Sequence, residues 1–382
     1  MRRSEPTYRI PFNRPCFQGK ELVYIGEAIG GGQISGNGRF TERCQTQLSS
    51  ALDGAKVILT TSCTDALEMA AILLDLGPGD EVIMPTFTFV STANAFALRG
   101  ARPVFVDIRR DTLNIDEKQV ARAVTRRTKA IVAVHYAGVG CEMETLSTIA
   151  KERGLFLVED NAHGLYGRFG GKPLGTFGEL ATLSFHETKN FTCGEGGALL
   201  VNDPALIERA EVIREKGTYR TRFFRGEVNK YTWRDIGSSY LPSELLAAFL
   251  LAQLEEREKI QVRRRRIWDR YAHELSDWAA DHGARLPAVP EHCEHPSHLF
   301  FLILPSEAVR RALIEHLKAR GILAVFHYLP LHLSEMGRSL GGVPGSCPVT
   351  EELSARLLRL PFFNDLTEEE QSRVIEAVCD FS

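Results

Sequence analysis

Ser184-Phe185-His186-Glu187-Thr188-Lys189-Asn190 leads into Gly194-Glu195-Gly196-Gly197, and 29 residues before the lysine Asp160 closes the apolar run Leu155-Phe156-Leu157-Val158-Glu159. Such a run, bounded by polar residues, reads as a buried strand of a parallel sheet. Its last residue is therefore fixed at a sheet rim. A lysine amine can bond to an aldehyde, and an aspartate held at a rim can keep a pyridine nitrogen protonated. Together they are what a pyridoxal 5'-phosphate enzyme requires. The glycines would let backbone pass close to such a group, although a hairpin turn uses glycine in the same way.

The pattern on either side predicts the fold. Strand-like runs at 57–59, 81–84, 103–107, 130–135 and 155–159 alternate with helical stretches at 65–76, 92–98, 116–126 and 144–153. That alternation indicates an α/β domain with a largely buried sheet. After the lysine segment, 198–201 reads as a strand, 204–215 as a helix and 243–278 as a long helical stretch. A smaller α/β unit follows, with strands at 298–303 and 325–328 and helices at 306–319, 351–358 and 367–381. The expected division is 1–245, a large cofactor-binding domain with its N-terminal segment, and 246–382, interdomain helices plus a small C-terminal domain. Residues 8–41 are rich in Gly, Pro and Asn, and Gly31 to Gly38 reads as an ordered loop.

Ligands of such folds gather at the carboxyl ends of the strands. Thr61-Ser62-Cys63-Thr64 sits at one end, where the free amides of a first helical turn and several hydroxyls can hold a phosphate; as a plain helix cap the turn would look the same. Thr86 to Phe89 and Asp160 to His163 sit at two others. Phe87 and Phe89 point to one side and Thr88 to the other, so one of them could stack on a planar ring or simply fill core.

A net charge of 46 − 49 = −3 gives no global attraction to nucleic acid or an anionic membrane. The Arg263 to Arg266 run follows Glu255, Glu256 and Glu258 and reads as a solvated helix face. Eight scattered cysteines form no C-x-x-C pair and suggest reduced thiols. No apolar run is long enough to span a bilayer, and the N-terminus carries no apolar signal region, so the expected location is cytoplasmic, without membrane insertion.

The chain resembles the DegT/DnrJ/EryC1/StrS sugar aminotransferases, within the type I aspartate aminotransferase fold. The resemblance rests on the shared order of Ile10-Pro11-Phe12-Asn13, Ser62-Cys63-Thr64, Met84 to Asn94, His135-Tyr136-Ala137-Gly138, Ser184 to Asn190, and Phe326-His327-Tyr328-Leu329-Pro330-Leu331-His332. It implies that Lys189 bonds to pyridoxal 5'-phosphate and that Asp160 pairs with the ring nitrogen. It further assigns His163 beside the ring, Phe89 in preference to Phe87 as the stacking aromatic, and Cys63, Thr64 and Ser184 around the phosphate. By the same resemblance the protein is a homodimer with shared sites. Many members carry Gly-Tyr-Asn-Tyr-Arg where Gly237-Ser238-Ser239-Tyr240-Leu241 stands, which puts Ser239 in place of an asparagine that crosses to the partner's cofactor phosphate, reaching it through water. A dehydratase branch replaces the lysine with histidine; Lys189 points to transamination. The implied substrates are L-glutamate and a nucleotide-linked keto sugar, dTDP-4-dehydro-6-deoxy-D-glucose, giving dTDP-4-amino-4,6-dideoxy-D-galactose; a 3-keto or UDP-linked acceptor is the alternative. Tyr219-Arg220 and Arg222 to Arg225 are candidates for contacting its diphosphate, or for plain surface.

Overall fold

The computed structural model describes residues 8–381. Its strands are β1 (Lys56–Thr60), β2 (Glu81–Pro85), β3 (Arg102–Val106), β4 (Thr128–Val134), β5 (Phe156–Asp160), β6 (Arg168–Phe169), β7 (Lys172–Pro173), β8 (Leu180–Ser184), β9 (Gly197–Val201), β10 (Cys293–Glu294), β11 (Phe301–Ile303) and β12 (Leu357–Arg359). Seven of them form one sheet in the order β1-β9-β8-β5-β4-β2-β3. The β3-β2-β4-β5-β8 pairs are parallel, whereas β9 runs antiparallel to both β8 and β1. This is the expected mixed-sheet α/β fold. Strand β8, Leu-Ala-Thr-Leu-Ser, is an addition. Its small and hydroxylated residues carry little strand signal of their own, and it is buried because β5 and β9 flank it.

Helices cover both faces, so the central strands can be almost wholly apolar. Helices Cys63–Leu73 and Val90–Ala97 pack on one face around Leu67, Ala70, Phe96 and Val132. On the other, helix Met143–Arg153 closes over Ile83, Ile131 and Leu157. The expected loop at Gly31 to Gly38 is one, and the Gly-, Pro- and Asn-rich stretch 8–41 around it also holds helix Glu21–Gly30 and the start of helix Arg39–Ala51. Both lie against helix Glu244–Glu255, more than 200 residues away. A helix stabilised by so distant a partner leaves a weak local signal.

Buried Glu244 joins these elements. Its carboxylate accepts the amides of Gly38, Phe40 and Thr41 at 3.0, 2.8 and 3.0 Å and the Thr41 hydroxyl, closing the amino end of helix Arg39–Ala51 from outside. Helix Glu244–Glu255 thus packs with the first core.

A second core is built by β11, β12 and helices Glu307–Ala319 and Glu368–Cys379 around Tyr271, Phe300, Leu313 and Val374. The N-terminal segment belongs to it: Ile10 forms a parallel bridge with Ile322, and Phe12 O accepts the amide of Phe362 at 3.2 Å. By packing, residues 10–12 and the C-terminal elements share the small unit. The strand expected at 325–328 shrinks to a single bridge between Val325 and Arg359, because residues 326–328 turn toward a cavity. The helix expected to reach Leu358 stops at Arg356, where β12 begins. Among the described residues no helix is long and apolar enough to cross a membrane.

Candidate active site

Strands β1, β2, β5 and β8 end at one rim, facing the small unit across a cavity of about 790 Å³. Lys189, Asp160, Cys63, Thr64, Phe89, His163 and Ser184 all line it. Asp160 is the last residue of β5. Thr92 Oγ1 donates to its Oδ2 at 2.7 Å and the Ala162 amide to its Oδ1 at 3.3 Å. Since the Thr92 proton is committed to the carboxylate, Thr88 Oγ1, 2.8 Å away, must donate to Thr92. The acid is therefore oriented by a two-hydroxyl chain.

Lys189 follows β8 in a loop braced by its own amide on His186 O at 2.9 Å. Burial pushes its amine down to about 8, with Arg359 acting in the same direction and Asp160 against it. A neutral, nucleophilic amine is thus accessible close to neutral pH. His163 stacks on His298 at 4.2 Å and 27°, and its Nδ1 is buried without a hydrogen-bond partner. Burial, with Lys189 nearby, holds its ring neutral.

The two phenylalanines separate cleanly. Phe87 is core, packed against Tyr136 and Tyr328, while Phe89 is 57% exposed on the cavity wall. At the start of helix Cys63–Leu73, Ser62 Oγ accepts the Asp65 amide at 3.0 Å, leaving the Cys63 and Thr64 amides without backbone partners among the described residues. Burial raises the Cys63 thiol to about 12, so it stays protonated and hydrogen-bonds Thr182 Oγ1 at 3.5 Å. Gly197, opposite this turn, has no room for a side chain: a Cβ would lie 2.3 Å from Ser62 C and 2.4 Å from Cys63 N. An amide-lined turn, a rim carboxylate and a buried amine in one cavity fit a phosphorylated pyridine aldehyde.

Residues 15–379 match the DegT/DnrJ/EryC1/StrS aminotransferase family. The chain belongs to that family. The pleiotropic regulatory protein of Geobacillus stearothermophilus is 37% identical over 320 residues, 83% of this chain and 82% of its own. Among solved structures, S. venezuelae DesV in complex with a ketimine intermediate is 30% identical, with a TM-score of 0.89 over 98% of each chain. Helicobacter pylori PseC, an aminotransferase involved in the biosynthesis of pseudoaminic acid, is 25% identical, with a TM-score of 0.87 over 97% of this chain and 98% of its own. The protein is a pyridoxal phosphate-dependent aminotransferase of the type I fold.

Ser239 stands apart from the other expected site residues of this aminotransferase. It lines a second, more open cavity of about 1510 Å³ with Asn37, Arg214 and Lys216. Within one chain the two cavities have no lining residue in common. Arg225 is on that second cavity, paired with Glu211 at 2.8 Å, and Arg222 is paired with Glu208 at 2.7 Å and Glu227 at 3.0 Å. Neither reaches the lysine cavity.

Several residues of the lysine cavity carried no assigned role in the sequence. Arg359, from β12, lines the lysine cavity; its Nη2 donates to Phe326 O at 3.2 Å, its guanidinium lies 4.5 Å over the Phe12 ring, and its Nε is buried without a partner. No carboxylate pairs with it among the described residues. Its one signal would have been an arginine beside the Leu360-Pro361 step, which no periodicity argument singles out. His298, His327 and Tyr328 complete the wall. The arginine run also departs from expectation: Arg263 donates to Asn364 O at 3.3 Å and to Leu366 O, and Arg264 is buried, so two of its four members grip the small unit.

Proposed function

We propose that this aminotransferase moves the amino group of L-glutamate to a nucleotide-linked keto sugar, with dTDP-4-dehydro-6-deoxy-D-glucose as acceptor and dTDP-4-amino-4,6-dideoxy-D-galactose and 2-oxoglutarate as products. The observation that carries this reading is the meeting of Lys189, Asp160 and the unpaired guanidinium of Arg359 in one cavity. Bound pyridoxal phosphate would supply a conjugated ring that spreads the electron pair left at carbon when a proton is removed. Lys189 Nζ, neutral above about pH 8, takes that proton from the substrate carbon and returns it elsewhere on the same face. Asp160, oriented by Thr92, would hold the proton of the ring nitrogen. The Cys63 and Thr64 amides with Ser184 would hold the phosphate, His163 and Phe89 would lie beside the ring, and Arg359 would offer a cation to the donor's carboxylate.

A sugar acceptor is supported by the likeness to PseC, an enzyme of pseudoaminic acid biosynthesis. Homodimers with shared sites are part of the reading, and Ser239, outside the lysine cavity of its own chain, is the residue we assign to a partner's phosphate. The likeness to a pleiotropic regulatory protein raises a regulatory reading. The lysine, acid and cavity favour turnover. The deciding experiment offers purified protein, pyridoxal phosphate and L-glutamate the 4-keto dTDP sugar beside its 3-keto isomer and a UDP analogue, with NMR identification of the product. A 4-amino galacto product from the first acceptor alone is expected. Product from another acceptor replaces the named substrate, and no reaction with glutamate removes the reading.

A further inference from the structure

The turn Pro296–His298 is held in an unfavourable shape beside the lysine cavity. Ser297 has φ +52°, which few non-glycine residues adopt, and its Oγ is buried without a partner. Buried Arg264, on helix Arg257–Glu274, clamps the turn from behind: Nε donates to Ser297 O at 2.9 Å, Nη2 to His298 O, and Nη1 to Asn364 Oδ1 at 2.7 Å. All three acceptors are carbonyl oxygens. In front, Gly138 makes room, since a Cβ there would lie 2.6 Å from Pro296 Cδ and 2.7 Å from His163 O.

Asn190, next to Lys189, fixes the ring that follows. Its Nδ2 donates to Pro296 O at 2.8 Å, so the group it presents 2.8 Å from His298 Nδ1 is its carbonyl oxygen. An oxygen of that kind only accepts, and His298 must therefore carry its proton on Nδ1. In a neutral ring Nε2 is then a bare lone pair. It has no hydrogen-bond partner among the described residues, and His298 lines the cavity, stacked on His163. Burial keeps this ring neutral, with His163, Lys189, Arg264 and His327 all opposing a further positive charge.

We propose that Asn190 and Arg264 are positioning residues for His298, which offers Nε2 to the cavity as an acceptor for a hydroxyl or ammonium group of a bound substrate. The opposite tautomer would present a donor, which an ammonium cannot meet and which a hydroxyl could meet only as an acceptor. The identity of the ligand rests on the aminotransferase reading; the tautomer does not.

The full-length holoenzyme, labelled with 15N at histidine, reads the tautomer directly through long-range proton–nitrogen correlations, with His298 assigned by its loss in His298→Phe. A protonated Nδ1 and bare Nε2 are expected, retained in Asn190→Asp and mixed in Asn190→Ala. A proton on Nε2 of the wild type, or an unmixed pattern in Asn190→Ala, overturns the positioning. Should Asn190→Ala fail to fold, the wild-type spectrum still decides. His298→Phe keeps a stacking ring and removes the acceptor, so one KM should rise roughly tenfold. A rise for L-glutamate alone assigns the acceptor to its ammonium, and a rise for the keto sugar alone assigns it to a hydroxyl. No change in either KM overturns the role. Absence of all transamination in the wild type, with the tautomer as stated, would sink the functional reading and leave the positioning supported.

Discussion

Burial makes a charged amine costly, and Lys189 responds by releasing its proton at about 8 instead of the ordinary 10.5. In the unfolded chain the same amine stays protonated to the higher value. Between those limits the unfolded state binds more protons, so this group makes the apoprotein more stable as pH rises from about 8 to 10.5. Lys189→Ala should flatten that part of a Tm-against-pH curve and also abolish the visible-edge absorbance that appears on adding pyridoxal phosphate. An unchanged curve and spectrum would remove the lysine from its assigned place. Arg359 has the opposite problem, a charge without a counterion. Arg359→Leu should raise KM for L-glutamate by roughly tenfold to a hundredfold, the worth of a charge-assisted contact, while KM for the keto sugar holds. Were the sugar KM to rise instead, the guanidinium would be serving a diphosphate.

Strand β9 and the turn after β1 meet only because residue 197 is glycine. Gly197→Ala should force them apart, destabilise by about 1–3 kcal/mol and weaken cofactor binding at least tenfold, measured by equilibrium titration of the apoprotein. Glu244 acts between helices. Glu244→Ala strands three amides and should cost about 2–4 kcal/mol in a denaturant titration, whereas loss of under 1 kcal/mol would show that water replaces the carboxylate. What the sequence disclosed follows the same logic of range. Strands β2, β4 and β5 announce themselves as apolar runs, and Asp160 and Lys189 declare chemistry by type and spacing. Helix Glu21–Gly30 does not, because its burial is supplied by a helix far along the chain, and strand β8 does not, because its Ala, Thr and Ser residues are buried only by the strands on either side. Arg359 and His298 were silent for a related reason: each acquires its role from a cavity that two separate units build.

The molecule as a whole is two cores joined by long helices, with the N-terminal segment tying into the far one. Removing residues 1–13 should lower the unfolding midpoint of the small unit, since it loses the Ile10 bridge to Ile322 and the Phe12 contact to Phe362 and Arg359. A circular dichroism melt unchanged by that truncation would mean the segment is an ornament. The same strap would couple substrate binding to the fold, because Phe12 lies over the guanidinium we assign to the donor's carboxylate.

Ile10 and Phe12 are synthesised more than 300 residues before Ile322 and Phe362, the residues they meet. The sheet rim bearing Asp160 and Lys189 can assemble while the chain is still being made, but the wall bearing Arg359 must wait until residues 322–362 are there for residues 10–12 to join. A ribosome stalled before residue 360 would therefore hold a nascent chain whose sheet is formed and whose Arg359 wall is not, which makes the subsite we assign to the donor the last part of the cavity to be built.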